Sequence, residues 1–224
     1  MISDLLQKRH CKRTFLNQPV LKEDIAKVLA LAGQSASSKN MQPWQVAVVS
    51  GQMLDCLRKR LSDQFDCHHP MAFDYEYHMD PLPDTFKKRA SDCGHELYKL
   101  KGIDRHDYDK RRQHFRQNFL FFGAPMALFF HLPKGAMFGQ FLDMGIFLNA
   151  VMLGLVDLGL GSCPQFSVCG YSNTIREVLN LEDNRLLVCG LSVGYPDEQA
   201  RVNQFVPTRA SIHEYVQFYD GEVN

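Results

Sequence analysis

The spacing of hydrophobic residues along the chain predicts several amphipathic helices. Apolar residues at Ile25, Val28, Leu29 and Ala32 recur every three or four positions, which is the period of one helix face. Gly33 follows as a predicted left-handed C-cap. The same period predicts other helices, around positions 5–6, after Gly51, over about 85–101 and 107–121, and over 173–180 with Asn173 as the N-cap.

Other segments have the patterns of strands and of one central helix. Alternation predicts a strand over 45–50, and apolar runs predict buried strands over 126–132 and 186–193. Residues 138–158 are apolar on nearly every side, which is typical of a helix in a core or a dimer interface. A tight connection is expected next, at 162–165.

Composition narrows the classes of protein that fit the chain. Its 224 residues contain no repeat or linker-like tract, so we expect one domain over residues 1–224. The 25 Lys and Arg residues balance the 25 Asp and Glu residues, which disfavours a nucleic-acid-binding surface. Seven scattered cysteines and no signal-peptide pattern predict a reduced, cytoplasmic protein. The apolar run 119–130 is too short to span a bilayer.

Two polar segments carry candidate binding chemistry. The basic run from Lys8 to Arg13 is either a solvated face or a clamp for phosphate, which Arg binds with a planar fork of donors. Serine, Asn and Gln residues crowd the segment 34–44 before Trp44. That segment is either a solvated connector or a loop that hydrogen-bonds the edge of a polar heterocycle.

Two further motifs receive weak support. Cys67, His68, His69 and His78 lie in an irregular stretch over 67–84, but their spacing matches no metal-ligand motif, and we predict no metal site. The pattern Gly-Leu-Ser-Val-Gly around Ser192 resembles a nucleophile elbow but lacks the following helix. The acid and the base of such a hydrolase would have to be Asp197 and His213. The few tens of residues after Ser192 give little room for the elements that would carry them. Neither a Walker loop nor a G-x-G-x-x-G motif is present.

A more coherent arrangement joins arginines at both ends of the chain. The N-terminal arginines and Arg209 can meet on one phosphate, and the Ser/Asn/Gln loop can bind a heterocycle. Pro164-Gln165 can offer backbone groups to a redox-active ring.

These segments, taken in order over nearly the whole chain, resemble the FMN-dependent nitroreductase family, with the nitrobenzoate-reductase-like branch the most similar. The motifs that carry the resemblance are Arg9-His10-Cys11-Lys12-Arg13-Thr14-Phe15, Ser37-Ser38-Lys39-Asn40-Met41-Gln42-Pro43-Trp44, Phe122-Gly123-Ala124-Pro125, Asp143-Met144-Gly145, Gly159-Leu160-Gly161-Ser162-Cys163-Pro164-Gln165, and Gly194-Tyr195-Pro196-Asp197 with Asn203 and Arg209.

The resemblance implies a fold and a flavin site. The fold expected is α+β, with a central mixed sheet flanked by helices and a long buried helix at the interface of a homodimer. FMN is expected at that interface, with its phosphate held by arginines and its ring reached by the Ser/Asn loop of the partner chain and by the backbone at Pro164. Gln42-Pro43-Trp44 is expected to anchor the loop to the sheet. The residues assigned to the site are Arg9, His10, Cys11, Arg13, Ser37, Ser38, Asn40, Pro164, Gln165 and Arg209.

This chain departs from the family pattern at two positions. Cys11 stands where the family usually has Ser, which weakens one phosphate hydrogen bond. Asn149 stands where Gln is frequent, so no contact is expected from it.

The activity implied is ping-pong hydride transfer, in which NADH or NADPH reduces the flavin and a nitroaromatic or quinone then reoxidises it. No side chain is assigned a catalytic role. The alternatives are a flavin enzyme of the same fold that acts on enones or halogenated aromatics, and a flavin-binding module without turnover.

Overall fold

A four-stranded sheet with helices on both faces organises the chain. The computed structural model describes residues 1–77 and 79–220. The helices of more than one turn are α1 (Ile2–Lys8), α2 (Lys22–Ala32), α3 (Gly51–Asp66), α4 (Asp84–Leu100), α5 (Tyr108–Arg116), α6 (Phe138–Asp157) and α7 (Ser172–Leu179). The strands are β1 (Gln45–Ser50), β2 (Met126–Pro133), β3 (Gly161–Gln165) and β4 (Arg185–Gly194).

The sheet runs in the order β1-β2-β4-β3, and each of its three strand pairings is antiparallel. The α+β class is therefore confirmed, but the expectation of a mixed sheet was wrong for these strands. Within the described residues, parallel pairing is confined to isolated bridges such as Cys11 with Ser162. Because β1 and β3 are the edge strands, Pro164 can lie in β3 without breaking a central ladder.

The side chains of the central strands alternate between two cores. Leu128 and Phe130 of β2 pack on the side of α2 and α6, whereas Ala127 and Phe129 pack on the side of α3. All four are fully buried. The prediction of a strand apolar on both faces is confirmed, and the reason is that each face carries its own helical layer.

Helix α6 is only partly buried, although its sequence is apolar nearly all round. Met144, Phe147 and Val151 lie in the core, while Phe138 and Leu142 on the other side are 89% and 66% exposed. Among the described residues, α6 is the helix whose length and hydropathy would allow a membrane span. The buried side of the helix packs on the sheet and on α2.

Several local predictions differ from the structure. Gly33 ends α2 with φ −58°, in the right-handed region, so it is not a left-handed cap. Tyr171, rather than Asn173, occupies the N-cap of α7. The predicted connection at 162–165 is strand β3, which β4 recruits by backbone pairing that local polarity does not reveal. Helix α5 ends at Arg116, because the next aromatic residues turn into the core.

Candidate functional site

The basic segment after α1 runs as extended chain beside β3. Helix α1 ends at Lys8, and Arg9 has extended φ and ψ of −73° and 99°. Cys11 then forms a parallel bridge with Ser162, and the Lys12 amide donates to the Ser162 carbonyl at 3.0 Å. The fold therefore brings the arginine segment next to the strand that carries Pro164, which joins two predicted parts of the site.

Asn203, which is fully buried, fixes this segment from the far end of the chain. The Arg13 amide donates to Asn203 Oδ1 at 2.6 Å, and Asn203 Nδ2 donates to the carbonyls of Thr14 at 2.6 Å and Asp197 at 2.9 Å. The Asn203 carbonyl lies 2.8 Å from His10 Nε2. The Asn203 side chain thus holds the backbone at the C-terminal edge of the segment, and the Asn203 carbonyl contacts the His10 side chain.

The cations of the segment differ in their partners. Lys12 is buried and pairs with Glu198 at 2.7 Å, so its charge is compensated. Arg9 and Arg13 form no ion pair with a carboxylate of residues 1–77 or 79–220. They therefore leave a local excess of positive charge that suits an anionic ligand.

Two residues not predicted from the sequence lie near enough to Arg13 to be affected by its charge. Lys101 Nζ lies 3.0 Å from His114 Nδ1. Burial, followed by the charges of Lys101 and Arg13, lowers the pKa of His114 to about 4. Burial, and then Arg13, also lowers the pKa of Lys101. Lys101 and His114 lie about ninety or more positions from Arg13 and outside the motifs that carry the family resemblance. No pattern in the sequence around them therefore indicates that they lie near Arg13.

The predicted heterocycle-reading loop is tied to α6. The Ser38 amide donates to Asp143 Oδ1 at 3.1 Å, and the Gln42 amide donates to Ser37 Oγ at 3.0 Å. Asn40 has φ +57°, which Asn tolerates better than most residues. Ser38 and Asn40 are exposed, and they make no described contact with the Arg9–Arg13 segment of the same chain.

Trp44 lies directly before strand β1 and anchors that loop by ring stacking. The ring of Trp44 stacks on Phe147 of α6, with centroids 4.7 Å apart and planes 6° apart. Phe147 in turn meets Phe130 of β2 edge-on at 6.1 Å. Trp44 therefore fastens the loop to the long helix, and Phe147 connects this contact to the sheet.

Gln165 is a structural residue through its side chain. It is 2% exposed, its Nε2 donates to the Asn118 carbonyl at 2.7 Å, and its Oε1 accepts from the Ser192 hydroxyl. The side-chain amide is thus engaged inside the core, and the resemblance assigned only the backbone of Pro164-Gln165 to the flavin. Ser192 is fully buried in the same network, so it cannot serve as an exposed nucleophile.

Arg209 lies on the surface, and no described contact joins it to Arg9 or Arg13. Its guanidinium donates to the carbonyls of Pro207 at 2.9 Å and Thr208 at 3.2 Å. It lines an open pocket of about 630 Å³ that is shared with α4 and with Glu214.

The irregular stretch before α4 supplies aromatic rings near β3. Tyr75 donates to the Val188 carbonyl at 2.7 Å and packs on Phe141 of α6 at 4.8 Å. Tyr77 stacks on Phe166, the residue after β3, at 5.4 Å. His78 of the weak metal motif lies outside the described residues. Within 1–77 and 79–220, no three His, Cys, Asp or Glu side chains are grouped to hold a metal ion.

Comparisons with known proteins place this chain in a family. The profile of the nitroreductase family matches residues 6–195. The chain is 32% identical to a 4-nitrobenzoate reductase of Pseudomonas putida over 96% of its own length and 93% of the relative. It is 31% identical to a chloronitrobenzene nitroreductase of Comamonas testosteroni over 97% and 96%. The chain therefore belongs to the nitroreductase family.

Solved structures agree with this assignment. An FMN- and NADPH-dependent nitroreductase NfnB from Sphigopyxis sp. strain HMH superposes with a TM-score of 0.95 at 33% identity, over 99% of this chain and 100% of that one. The FMN-dependent NfnB of Mycobacterium smegmatis, solved in complex with NADPH, superposes with a TM-score of 0.93 at 32% identity and 97% coverage of both chains. The resemblance predicted from the motifs is confirmed.

Proposed function

We propose that this protein is an FMN-dependent oxidoreductase that passes hydride from NADH or NADPH to electron-poor acceptors such as nitroaromatics or quinones. One observation of the fold carries this proposal. The basic segment Arg9–Arg13, in which neither arginine pairs with a carboxylate among the described residues, lies beside the edge strand that carries Pro164. Relatives described as FMN-dependent nitroreductases share nearly the full length of the chain.

The donor set of the chain fits the phosphate of FMN. Arg9 and Arg13 supply planar donors, and Lys101 and His114 place further side-chain nitrogens near Arg13. Nδ1 of His10 is buried without a hydrogen-bond partner in the described structure, so a donor or acceptor at this position is unused. We assign Arg9, His10, Cys11 and Arg13 to phosphate binding.

FMN, when bound, supplies the hydride acceptor and donor that no side chain provides. The backbone of Pro164 and Gln165 borders the place assigned to the flavin ring. The side-chain hydrogen bonds of Gln165 hold that backbone rigid, because Asn118 and Ser192 fix the amide at both ends. The aromatic rings of Tyr75 and Tyr77, beside β3, would exclude water from the acceptor.

We propose that two copies of the chain complete the site. The outer face of α6, including Phe138 and Leu142, is an exposed apolar surface of the kind that a second subunit covers. The loop with Ser37, Ser38 and Asn40 is tied to the same helix through Asp143. A partner packed on α6 would therefore lie next to this loop, which would then serve the partner's flavin. Oxygen Oδ2 of Asp143 is also buried without a partner within the described residues.

We also propose that Arg209 contributes to phosphate binding from the C-terminal part of the chain, as its position in the family pattern implies. Its guanidinium contacts only backbone carbonyls of residues 207 and 208 among the described residues, so its charge is free for an anion. The reduced state of all seven cysteines suits a cytoplasmic protein.

Flavin content and reduction test the proposed activity directly. Purified protein should be yellow, or become yellow with added FMN, and either NADH or NADPH should bleach it without oxygen. Nitroaromatic, quinone, enone and halogenated compounds should then be compared as reoxidants, because the fastest class defines the acceptor. Protein that stays colourless with FMN would refute the flavin assignment, and yellow protein that neither dinucleotide bleaches would indicate a binding module.

The phosphate assignment has its own test. Arg13→Ala and Arg209→Ala should each lose FMN during dialysis, since a charge-assisted hydrogen bond contributes about 1.5–3 kcal/mol. Arg105→Ala, at an exposed position away from these contacts, is the matched control. The pKa of His114, about 4 in the flavin-free protein, should rise when phosphate binds, as followed by NMR. Unchanged retention in Arg13→Ala together with an unchanged His114 titration would contradict the assignment.

A further inference from the structure

The irregular stretch before α4 meets strand β4 at a β-bulge. In the pairing of β2 with β4, Phe130 lies opposite Cys189. The next residue of β2, His131, lies opposite Leu187, so Val188 is an extra residue of β4. The extra residue of a bulge is unpaired, and the ladder is disrupted beside it. Backbone groups of β4 at this point are therefore available to a segment outside the sheet.

Two consecutive residues of the irregular stretch bind these backbone groups. The Leu187 amide donates to Asp74 Oδ2 at 2.9 Å. The Tyr75 hydroxyl donates to the Val188 carbonyl at 2.7 Å. Both contacts lie just before residues 190–194 of β4, which pair with β3. The bulge thus holds the irregular stretch against the same strand that holds β3.

The Asp74 carboxylate also binds two side chains of α7. The Arg176 guanidinium donates to Oδ2 at 2.5 Å and to Oδ1 at 3.0 Å, and the Ser172 hydroxyl donates to Oδ1 at 2.8 Å. The side chains of Asp74 and Arg176 are 16% and 15% exposed, so water competes little with these bonds. Burial raises the pKa of this carboxyl, but the hydrogen bonds from Arg176, Leu187 and Ser172 outweigh burial and lower it overall. Asp74 is therefore ionised at neutral pH and joins the irregular stretch to both α7 and β4.

The next residues of the irregular stretch place aromatic rings beside the position assigned to the flavin. The ring of Tyr75 packs on Phe141 of α6 with centroids 4.8 Å apart. Tyr77 stacks on Phe166 at 5.4 Å, with the ring planes 17° apart. Phe166 is 37% exposed and directly follows Gln165, whose backbone is assigned to the flavin. Tyr75, Tyr77 and Phe166, which we call the aromatic wall, therefore border that position and offer ring surface to a planar aromatic compound.

We propose that Asp74 is a positioning residue for the electron acceptor, because its hydrogen bonds fix the aromatic wall on which a planar acceptor packs. This role rests on the proposed function, since the acceptor has to bind beside the flavin. Asp74 itself touches neither flavin nor acceptor and acts through Tyr75. Without the carboxylate, acceptor binding must also order the rings of the wall, which costs affinity. The maximal rates of flavin reduction and reoxidation should not change, because no reacting group is altered.

The two half-reactions of FMN-loaded protein test this role. Asp74→Asn keeps the shape of the side chain but turns an amide N–H toward one of its donors. Its flavin content, its maximal rate of reduction by NADPH and its maximal rate of reoxidation by nitrobenzene should equal those of the wild type. The nitrobenzene concentration that half-saturates reoxidation should rise by about tenfold. Asp74→Glu, which keeps the carboxylate, should recover part of this loss.

Glu76→Gln is the matched control, because it neutralises an exposed carboxylate between the two tyrosines of the wall. It should behave like the wild type in both half-reactions. An unchanged half-saturating concentration in Asp74→Asn would overturn the proposal. Lower maximal rates or a lower flavin content at an unchanged half-saturating concentration would overturn it as well, since they indicate a purely structural role.

Hydrogen exchange of the flavin-free protein tests the positioning independently of activity. In Asp74→Asn, the backbone amides of residues 72–77 should exchange faster than in the wild type, whereas those of β2 and α6 should not change. Ser172→Ala removes one hydrogen bond to Asp74 and should give smaller shifts in both measurements, so it decides the question where Asp74→Asn does not fold. Unchanged exchange over 72–77 would overturn the proposal. Wild-type protein that binds no FMN would instead refute the proposed function, and the exchange result would still decide whether Asp74 holds the wall.

Discussion

Substitution of Asn203 should remove the hydrogen bonds that anchor the backbone of the Arg9–Arg13 segment to the C-terminal part of the chain. In Asn203→Ala, the Arg13 amide loses its acceptor, and the carbonyls of Thr14 and Asp197 lose their donors. Each intramolecular hydrogen bond contributes about 1 kcal/mol, and the site is fully buried, so unfolding should become easier by about 3 kcal/mol. Urea denaturation of the flavin-free protein, followed by circular dichroism, measures this loss.

The same variant should also bind FMN more weakly, because the backbone that aims Arg13 is no longer fixed. Gln204→Ala is the neighbouring control, since its exposed side chain makes a single long hydrogen bond of 3.4 Å and should change stability by less than about 0.5 kcal/mol. Asn203→Asp keeps the acceptor for Arg13 but places a buried carboxylate oxygen against the carbonyls of Thr14 and Asp197, and it should destabilise the protein at least as much as Asn203→Ala. If Asn203→Ala unfolds at the urea concentration of the wild type, the assigned role of the side chain is wrong.

Three further predictions concern contacts that do not involve Asn203. Asp143→Ala removes the acceptor of the Ser38 amide and should weaken FMN binding by about tenfold, measured by flavin fluorescence. Burial and then Arg185 lower the pKa of His131 from 6.5 to about 4, so its neutral form stabilises the fold above pH 6.5. That contribution, on the order of 2 kcal/mol, should be lost as pH falls from about 6.5 to 4, and His131→Phe should flatten this part of a stability–pH curve. Trp44→Ala removes the stacking on Phe147 and should lower stability by about 2 kcal/mol in urea denaturation.

Matched variants define the results that would contradict these three predictions. Asp157→Ala, at the exposed end of α6, should retain FMN, and equal loss in both Asp variants would remove the special role of Asp143. A stability–pH curve of His131→Phe that parallels the wild type between pH 6.5 and 4 would contradict the buried neutral imidazole. Trp44→Phe should keep most of the stability, whereas a loss equal to that of Trp44→Ala would argue against stacking as the cause.

Local periodicity predicted the elements whose burial depends on one helical or strand face. Residues such as Ile25, Val28 and Val46 reveal their elements because neighbours in sequence share the same face. Strand β3 was missed because its residues are small or polar and its pairing with β4 is decided by backbone bonds. The same limit explains Gly33, whose backbone conformation depends on the turn that follows α2.

The candidate site was predictable as a set of segments but not as a set of contacts. The motifs named Arg13, Asp143 and Asn203, yet the hydrogen bonds that join them to the site cross 105 to 190 positions. Lys101 and His114 belong to no motif, and only the folded chain brings their side chains near Arg13. Long-range contacts of this kind leave no local pattern, because they depend on how whole elements pack.

The hold of Asn203 on the Arg13 amide has a consequence for synthesis. The two residues are separated by 190 positions, so the ribosome needs about 10–40 s between them at ordinary elongation rates. During that interval, the N-terminal arginines emerge without the side chain that orients their backbone. A nascent chain therefore cannot acquire the oriented arginine segment until Asn203 has been translated, which makes cofactor loading a late event in the synthesis of each molecule.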